Sequence, residues 1–316
     1  MNDQEIRSRA RGCLLGQLTG DSLGSLVEFQ TPEMIWKMYP EGIRNLKNGG
    51  TWNILAGQPT DDSEMALMLA CMLIERERYD VDAALRAYTF WLQSGPFDCG
   101  NTIRTSLLGA PDTSSQANGA LMRISPLEIF GAGFELEQVS RWAELDAYIT
   151  HPHPVCCQIN QLYTMAIAHA IQSGCSNEDL YDKIIQWAHQ EDMEECIQEI
   201  VTMAEDNPPR DYMHHQGWVM TAFHNALWQL LHAVDVKTGI IDTVSCKEAI
   251  RIPTQPFAVP FSERCMAKKQ SQFNGNRQCW IAAQRREKRA LCIHVLDVFG
   301  LWMPYDWQIN LCPYPS

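Results

Sequence analysis

The chain has 316 residues, 46% hydrophobic and 20% charged, which suits one large globular domain and excludes a fibrous or disordered protein. Its net charge of −13 argues against a binder of the nucleic-acid backbone, which usually carries a basic face. No apolar run reaches a membrane span, and the first residues are too polar for a secretory signal. Twelve cysteines without close CxxC pairs indicate reduced thiols. We therefore predict a cytoplasmic protein that binds neither nucleic acid nor membrane.

Helical periodicity dominates residues 1–244. It predicts helices over 7–26, 65–74, 81–94, 137–145, 154–173, 177–191, 193–205 and 215–233. The second of these is apolar on nearly every side, through Met68, Cys71, Met72 and Leu73, which is typical of a central, buried helix. No strand pattern of any length competes with the helices. The predicted fold class is therefore all-α, in a single domain.

Acidic groups cluster in two loops between these helices. The first loop contains Asp21, and Glu28 follows it; a solvated helix end also explains Glu28 on local grounds. In the second loop, Thr60, Asp61 and Asp62 precede the central helix. A helix N-cap accounts for one carboxylate, whereas two adjacent carboxylates beside a hydroxyl suit a hard divalent cation. Capping and metal binding both remain open here.

Two further loops carry hydroxyl and amide groups. Residues 95–102 read as an Asx-turn between helices, and residues 114–123 are suited to presenting backbone N–H groups to a diphosphate, although a plain turn explains them equally well. His151 and His153 are each followed by proline, which favours a polar contact or a helix start over a zinc site. Trp218 is either a core residue or a platform for a base.

Other common catalytic and binding motifs are missing from the sequence. It contains no GxGxxG or Walker loop and no GxSxG nucleophile elbow. The neighbouring Cys156 and Cys157 have no second pair at zinc spacing. These absences exclude the usual nucleotide-binding turns, the α/β-hydrolase triad and a zinc ribbon.

Taken in order, the polar strings resemble the ADP-ribosylglycohydrolase family. The resemblance covers residues 7 to about 244. Each string alone is weak evidence for the family, but the strings together in this order are specific to it. The strings are GCLLG (12–16), GDSLG (20–24), PTDDS (59–63), DCGNT (98–102) and SQANGALMR (115–123), followed by THP (150–152) and GW (217–218). The resemblance implies an orthogonal all-α bundle with two Mg²⁺, sometimes Mn²⁺, in a central cleft.

The resemblance also implies roles for individual residues. The metal ligands would be Thr60, Asp61 and Asp62. The catalytic residues would be Asp98, as a candidate for proton handling, and Glu28, which would lie by the distal ribose within reach of a metal. The substrate-binding residues would be Asn101, Ser115, Gln116, Asn118, Gly119, His151 and Trp218. Of these, Ser115, Gln116, Asn118 and Gly119 would hold the phosphates and ribose, and Trp218 would stack near adenine.

The composition changes abruptly after residue 244. Residues 1–244 contain 15 basic and 33 acidic side chains, whereas residues 245–316 contain 10 and 5 and hold five of the twelve cysteines. We therefore divide the chain into a helical domain, 1–244, and an atypical basic, cysteine-rich tail, 245–316. The tail replaces the last metal-binding helix of the family, which is headed by a GGDTDTN string.

The genetic code offers an explanation for the missing string. Suppose that each codon from residue 247 to residue 267 began at the third base of the preceding codon. Codon choices consistent with the printed residues would then permit the amino-acid sequence GSDTDTNAAICGALLGAVYG. Our hypothesis is a reading-frame shift near residue 245, which removes three expected metal ligands. The bases across codons 240–255 test it, because a clean frame with no permitted DTDT reading excludes the shift.

The expected function is Mg²⁺-dependent hydrolysis of the ribosyl bond in ADP-ribosylated protein side chains, arginine first, or in small ADP-ribose conjugates. A doubled carboxylate fits metal-assisted cleavage better than a glycosidase with two separate carboxylates. One alternative is a member that binds ADP-ribose without turnover. The other is an interaction protein whose basic tail docks a partner and whose acidic loops are only caps.

Overall fold

The computed structural model describes residues 3–191, 193–209, 215 and 217–245. Within them the chain forms twelve α-helices and one 3₁₀ turn, Leu121–Arg123. The helices are α1 Asp3–Gly24, α2 Pro32–Met38, α3 Asp61–Arg76, α4 Val81–Gln93, α5 Asn101–Leu107, α6 Ser125–Gly131, α7 Leu136–Thr150, α8 Pro154–Ser173, α9 Asn177–Gln190, α10 Glu195–Met203, α11 Val219–His232 and α12 Val236–Val244.

The all-α prediction is confirmed. In the described residues, strand-like pairing is confined to two isolated bridges, Gly49 with Ile54 and Ala117 with Trp218. All eight predicted helices are present, and the one predicted over 154–173 has the bounds of α8. The predicted basic tail lies outside the described residues, apart from Ser245.

Helix α3 is the central helix, as predicted. Met65 and Leu69 have no exposed surface, and Met68, Cys71, Met72 and Leu73 are all buried. The helix packs against α1, α4, α6 and the 3₁₀ turn, so its N-terminus lies where several elements meet. The first turn of α3 therefore lies inside the protein, although it carries three acidic side chains.

Four helices were not predicted, and all are short. Helices α2, α5 and α6 have seven residues and α12 has nine, so none is long enough to display a clear 3.6-residue period. Their start signals are local: Thr31 caps α2 with Pro32 next to it, and Asp235 caps α12 by accepting from the Thr238 N–H. Helix α11 begins at Val219 rather than 215, because the backbone of Trp218 is extended.

Helix α12 closes a core between the two ends of the described chain. Ile240 and Val244 pack with residues of α1 and of the segment after it in one buried cluster, completed by Leu23, Leu26, Val27, Ile35 and Ile43. Ser245 fixes the end of α12. Its Oγ accepts from the Ile43 N–H at 2.9 Å, and its carbonyl accepts from the Trp36 indole N–H at 3.2 Å.

Two further observations bear on the sequence predictions. None of the helices in the described part of the chain is long and apolar enough to cross a membrane. All seven cysteines in the same residues are free thiols, which agrees with the prediction of reduced cysteines.

Candidate active site

A pocket of about 310 Å³ opens at the N-terminus of α3. It gathers nine of the twelve predicted site residues: Glu28, Thr60, Asp61, Asp62, Asp98, Asn101, Asn118, Gly119 and His151. Its remaining lining is Asp21, Gly24, Ser25, Val27, Phe29, Gly100, Thr102, Ile103, Ala117, Met122, Gly217 and Val244. Among the described residues, no lysine or arginine lines the pocket, although five carboxylates do. The pocket is thus strongly acidic and lies where the sequence strings converge.

Asp21 of α1 caps the first turn of α3. Its carboxylate accepts from the Thr60 N–H at 3.0 Å and from the Ser63 N–H at 3.2 Å. It also accepts from the Thr60 hydroxyl at 2.7 Å and the Ser63 hydroxyl at 2.6 Å. A carboxylate at a helix N-terminus satisfies otherwise unpaired N–H groups and interacts favourably with the helix dipole. Asp21 therefore joins α1 to α3 through four donors.

This cap bears on the two explanations offered for Asp61 and Asp62, helix capping and metal binding. Since Asp21 takes the capping role, neither neighbouring carboxylate is needed for it. Asp61 instead accepts from the Gly100 N–H at 3.2 Å, across the pocket. The Thr60 hydroxyl gives its proton to Asp21, so the lone pairs of its oxygen remain free to bind a cation.

Asp61, Asp62 and Asp98 hold their protons more tightly than ordinary carboxylic acids. Burial, followed by the charges of Asp98 and Asp21, raises the pKa of Asp61 to about 7. Burial and four neighbouring carboxylates raise the pKa of Asp62 well above its usual range. Burial and the charge of Glu28 raise the pKa of Asp98 to about 7. These shifts have the same two causes, burial first and then the repulsion between neighbouring carboxylates.

The donor set suits a hard divalent cation on one wall of the pocket. Carboxylate and hydroxyl oxygens are the ligands that Mg²⁺ prefers, and a cation there would relieve the repulsion between Asp61 and Asp62. Within the described residues, however, no group of three or more His, Cys, Asp or Glu side chains is arranged to hold a metal ion. The residues present therefore fit part of a metal centre, and the residues that stand where the family has its second ligand string lie outside the described residues.

We expect the cation-free protein to lose stability as the pH rises from about 4 to about 7. The unfolded state releases the Asp61 proton near its usual pKa of 3.8, whereas the folded state keeps it up to about 7. In this window the folded state binds more protons, so the free energy of unfolding falls with pH. Mg²⁺ is expected to raise the melting temperature, and more at pH 7.5 than at pH 5.

Thermal melts of two variants check this expectation. Asp62→Asn should weaken the pH dependence, raise stability at neutral pH by about 2 kcal/mol and abolish the Mg²⁺ shift. Asp82→Asn is the control, because Asp82 is an exposed acid in the first turn of α4. Equal behaviour of the two variants would contradict the assignment of the shift to the pocket.

Aromatic rings surround the outer carboxylates. Trp52 donates its indole N–H to Glu28 at 2.7 Å, so Glu28 is not merely a solvated helix end. The Trp52 ring meets Phe29 and Phe97 edge to face, with centroids 6.2 and 6.0 Å apart. Phe29 is 70% exposed and has a positive φ of 60°, an unfavourable backbone conformation for a bulky residue. We call Phe29, Trp52 and Phe97 the aromatic rim.

The loop 115–119 contributes Ala117, Asn118 and Gly119 to the pocket lining, and two of its N–H groups already have acceptors within the protein. The N–H of Asn118 donates to the Gly217 carbonyl at 2.9 Å, and that of Ala117 to the Ser115 hydroxyl at 3.4 Å. These N–H groups are therefore not available to a diphosphate, because the loop pairs with the start of α11. Only side chains and the remaining backbone of the loop can hold a ligand.

Three predicted site residues lie beside the pocket rather than in its wall. Ser115 exchanges a hydrogen bond with Thr102 at 2.8 Å. Gln116 accepts from the Trp218 indole N–H at 2.8 Å and contacts His153 at 3.2 Å. Trp218 is 38% exposed, so it is not a core residue, and its ring remains available at the surface.

His153 lies at a helix start and His151 makes a polar contact, the two roles that the sequence predicted for this pair. His153 caps α8 by accepting from the Val155 N–H at 3.2 Å. His151 is fully buried, and its Nδ1 contacts the Thr150 hydroxyl at 2.8 Å. A Cβ on Gly119 would lie 2.9 Å from His151 Cε1, so only glycine allows this loop to approach the imidazole.

Some contributors to the site were not assigned a role from sequence. Asp21 is one; the GDSLG string drew attention to it, but its partners Thr60 and Ser63 are about 40 residues away. The aromatic rim is another, since Phe29, Trp52 and Phe97 come from three separate loops. Arg123, which lies behind His151, was included only as part of a string.

Comparisons with known proteins identify relatives of this chain. The chain is 33% identical over 192 residues to the ADP-ribosyl-[dinitrogen reductase] glycohydrolase of Rhodospirillum rubrum, covering 56% of this chain and 64% of that protein. It is 25% identical over 263 residues to the ADP-ribosylarginine hydrolase Tri1 of Pseudomonas putida, covering 76% and 66%. The matched stretch thus spans slightly less than two thirds of each of these relatives.

A solved structure shares the fold. The protein titled ADP-ribosylglycohydrolase-related protein complex matches with a TM-score of 0.65 and 22% identity, covering 81% of this chain and 84% of that one. The sequence model of the family described as ADP-ribosylglycohydrolase matches residues 2–249. The chain therefore belongs to the ADP-ribosylglycohydrolase family, a family of hydrolases.

Proposed function

We propose that this pocket binds ADP-ribose conjugates and hydrolyses the bond between the ribose C1 and the acceptor, with Mg²⁺ as cofactor. The observation that carries the proposal is the meeting in one pocket of Thr60, Asp61 and Asp62 with Asp98 and residues 117–119. Carboxylates suit a cation and a water nucleophile, whereas amide and imidazole groups suit the oxygens of a ribose and a diphosphate.

Each wall of the pocket then has a task. Thr60, Asp61 and Asp62 would hold Mg²⁺, which when bound lowers the pKa of a water and stabilises developing negative charge. Asp98 would take the proton of the attacking water, since burial and the charge of Glu28 raise its pKa to about 7 in the protein alone. Asn101 and Asn118 would bind the ribose hydroxyls, and Glu28 would orient the ribose beside the carboxylates.

The mouth of the pocket favours a cationic acceptor such as arginine. The carboxylates of Glu28 and Asp98 lie there beside the aromatic rim. A guanidinium plane pairs with carboxylates and stacks on aromatic faces, so both features favour it over a neutral hydroxyl acceptor. The relative of Pseudomonas putida is named for hydrolysis at arginine.

A second candidate function is binding of ADP-ribose without turnover. It is favoured by the incomplete metal centre, since the described residues supply no set of three acidic or imidazole ligands. The two candidates share the ligand and differ in cleavage. Retained binding of ADP-ribose with no Mg²⁺-dependent release from ADP-ribosyl-arginine would identify the second.

Calorimetric titration with ADP-ribose tests the function shared by both. Gly119→Ala is expected to weaken binding at least about tenfold, because the new methyl group displaces His151 and Ile103 from the wall. Gly133→Ala is the control, since its Cβ would meet only the Phe130 carbonyl oxygen, at 3.9 Å. Failure of the unmodified chain to bind ADP-ribose or Mg²⁺ would instead favour the interaction-protein alternative.

A further inference from the structure

Behind the pocket lies a buried polar network that the proposed chemistry does not use directly. Arg123 has no exposed surface and pairs with Asp146, N to O, at 3.1 Å. Its Nη2 also donates to the Asp146 carbonyl at 2.8 Å. The guanidinium carbon lies 4.3 Å from the centroid of the Tyr88 ring, and Tyr88 donates its hydroxyl to Asp146 at 2.8 Å. Arg123 is thus fixed on several sides.

The network reaches the pocket through Thr150 and His151. Arg123 Nη1 donates to the Thr150 hydroxyl oxygen at 2.7 Å. The same oxygen lies 2.8 Å from His151 Nδ1. At the far side of the ring, His151 Nε2 is buried without a hydrogen-bond partner, and the residue lines the pocket. The side chains of Arg123, Thr150 and His151 are therefore linked in series, and the series ends at the unpaired Nε2 of His151, a residue that lines the pocket.

The protons of this chain can be assigned from elementary chemistry. A guanidinium group only donates, so Thr150 must accept from Arg123. The hydroxyl then has one proton to give, and His151 Nδ1 is the acceptor that the structure places beside it. If Nδ1 itself carried the proton, the hydroxyl proton would be buried without an acceptor, which is unfavourable.

We propose that Arg123 and Thr150 are positioning residues that fix His151 as a neutral imidazole with its proton on Nε2, directed at the pocket. His151 thereby presents a donor that requires an acceptor oxygen on the ligand, either a phosphoryl or a ribose oxygen. This specificity rests on the proposed function only in naming ADP-ribose as the source of that oxygen. The protonation pattern itself concerns the ligand-free protein.

The electrostatic setting agrees with this assignment. Burial, together with the positive charge of Arg123, lowers the pKa of His151 to about 3. An imidazolium at this position would bring a second positive charge next to the guanidinium without a carboxylate of its own. A neutral donor avoids that repulsion and still offers a hydrogen bond to an oxygen.

The tautomer can be observed directly by long-range ¹H–¹⁵N NMR of the full chain labelled in histidine, with His151→Gln to assign the signal. We expect one neutral species at neutral pH, protonated at Nε2, in the unmodified chain and in Thr150→Ser. Thr150→Val removes the donor to Nδ1 and should produce a mixture of tautomers or the Nδ1–H form.

Thr164→Val is the matched control. Thr164 is also a buried threonine, but its hydroxyl oxygen has no hydrogen-bond partner, so the same change should leave the His151 signal unmoved. An Nδ1–H imidazole or an imidazolium in the unmodified chain would overturn the proposal, whether or not the variants fold. So would an unchanged His151 signal in a folded Thr150→Val variant.

Titration with ADP-ribose separates this proposal from the proposed function. We expect the Nε2–H resonance to shift on binding, and Thr150→Val to bind about tenfold more weakly while Thr150→Ser recovers the affinity. If the tautomer is as proposed and ADP-ribose binds nowhere on the protein, the proposed function fails and the assignment of His151 stands. If ADP-ribose binds without moving the resonance, the ligand oxygen proposed here is wrong.

Discussion

A chain carrying GSDTDTNAAICGALLGAVYG in place of residues 248–267 is expected to release ADP-ribose from ADP-ribosyl-arginine at least about 100-fold faster than the present chain, in the presence of Mg²⁺. The substituted string is the alternative codon reading of the same stretch, and its DTDT segment adds two carboxylates and two hydroxyls. These groups are the hard oxygen ligands that the pocket needs to complete a metal centre.

The structure gives this prediction a physical basis. Val244 lines the pocket, and Ser245 is held by Ile43 and Trp36, so the described chain ends at the pocket wall. The first acid of the restored string follows Ser245 by five residues, which span at most about 17 Å of extended chain. The string is therefore within reach of Asp61 and Asp62.

Two comparisons make the result decisive. A restored chain whose string reads NTNT instead of DTDT keeps the length and most of the shape but loses both carboxylates, and it should be as slow as the present chain. If the present chain turns over as fast as the restored one, the second string is dispensable or replaced, and our interpretation of the metal centre is wrong. The base sequence across codons 240–255 tests the frame itself.

Arg123→Met is expected to lower the free energy of unfolding by about 3–5 kcal/mol. The change leaves the Asp146 carboxylate buried with no positive partner, and it removes the cation–π contact with Tyr88 and the donor to Thr150. A single buried charge without a counter-ion is among the most destabilising lesions in a protein core. Urea denaturation followed by circular dichroism measures the effect.

The chain offers a matched control for this change. Arg78 forms an ion pair with Asp80 at 3.5 Å, but the Arg78 side chain is 70% exposed. Arg78→Met should therefore change the free energy of unfolding by less than about 1 kcal/mol. Similar losses in the two variants would show that the Arg123 network contributes no more than a surface ion pair.

Sequence reasoning predicted the fold class and the long helices well, because their apolar faces repeat over several turns. Helix α8 has its predicted bounds, and the central position of α3 was visible in its nearly unbroken apolar run. The short helices α2, α5, α6 and α12 were missed, since seven to nine residues contain too few repeats to display a period.

The sequence predicted which residues share the candidate site better than it predicted the contacts among them. Nine predicted residues share the pocket, but the sequence alone left open whether Asp61 was a cap or a ligand. The answer depends on Asp21, which reaches the same helix from α1. Likewise, the pairing of the loop 115–119 with Gly217 has no local signal, so the loss of the Asn118 N–H to that pairing could not be foreseen.

The core cluster that α12 completes has a consequence for how the domain folds. Leu23 and Ile35 come from the beginning of the chain, whereas Ile240 and Val244 come from the end of the described part, more than 200 residues later. Contacts of such large sequence separation form slowly, because a long loop must close before any of them is gained. During synthesis, the apolar residues of the first helices therefore stay exposed to solvent until α12 has been made. A frame shift a few codons before residue 240 would remove Ile240 and Val244 and leave this apolar surface exposed. A frame shift after Ser245 leaves both residues in place.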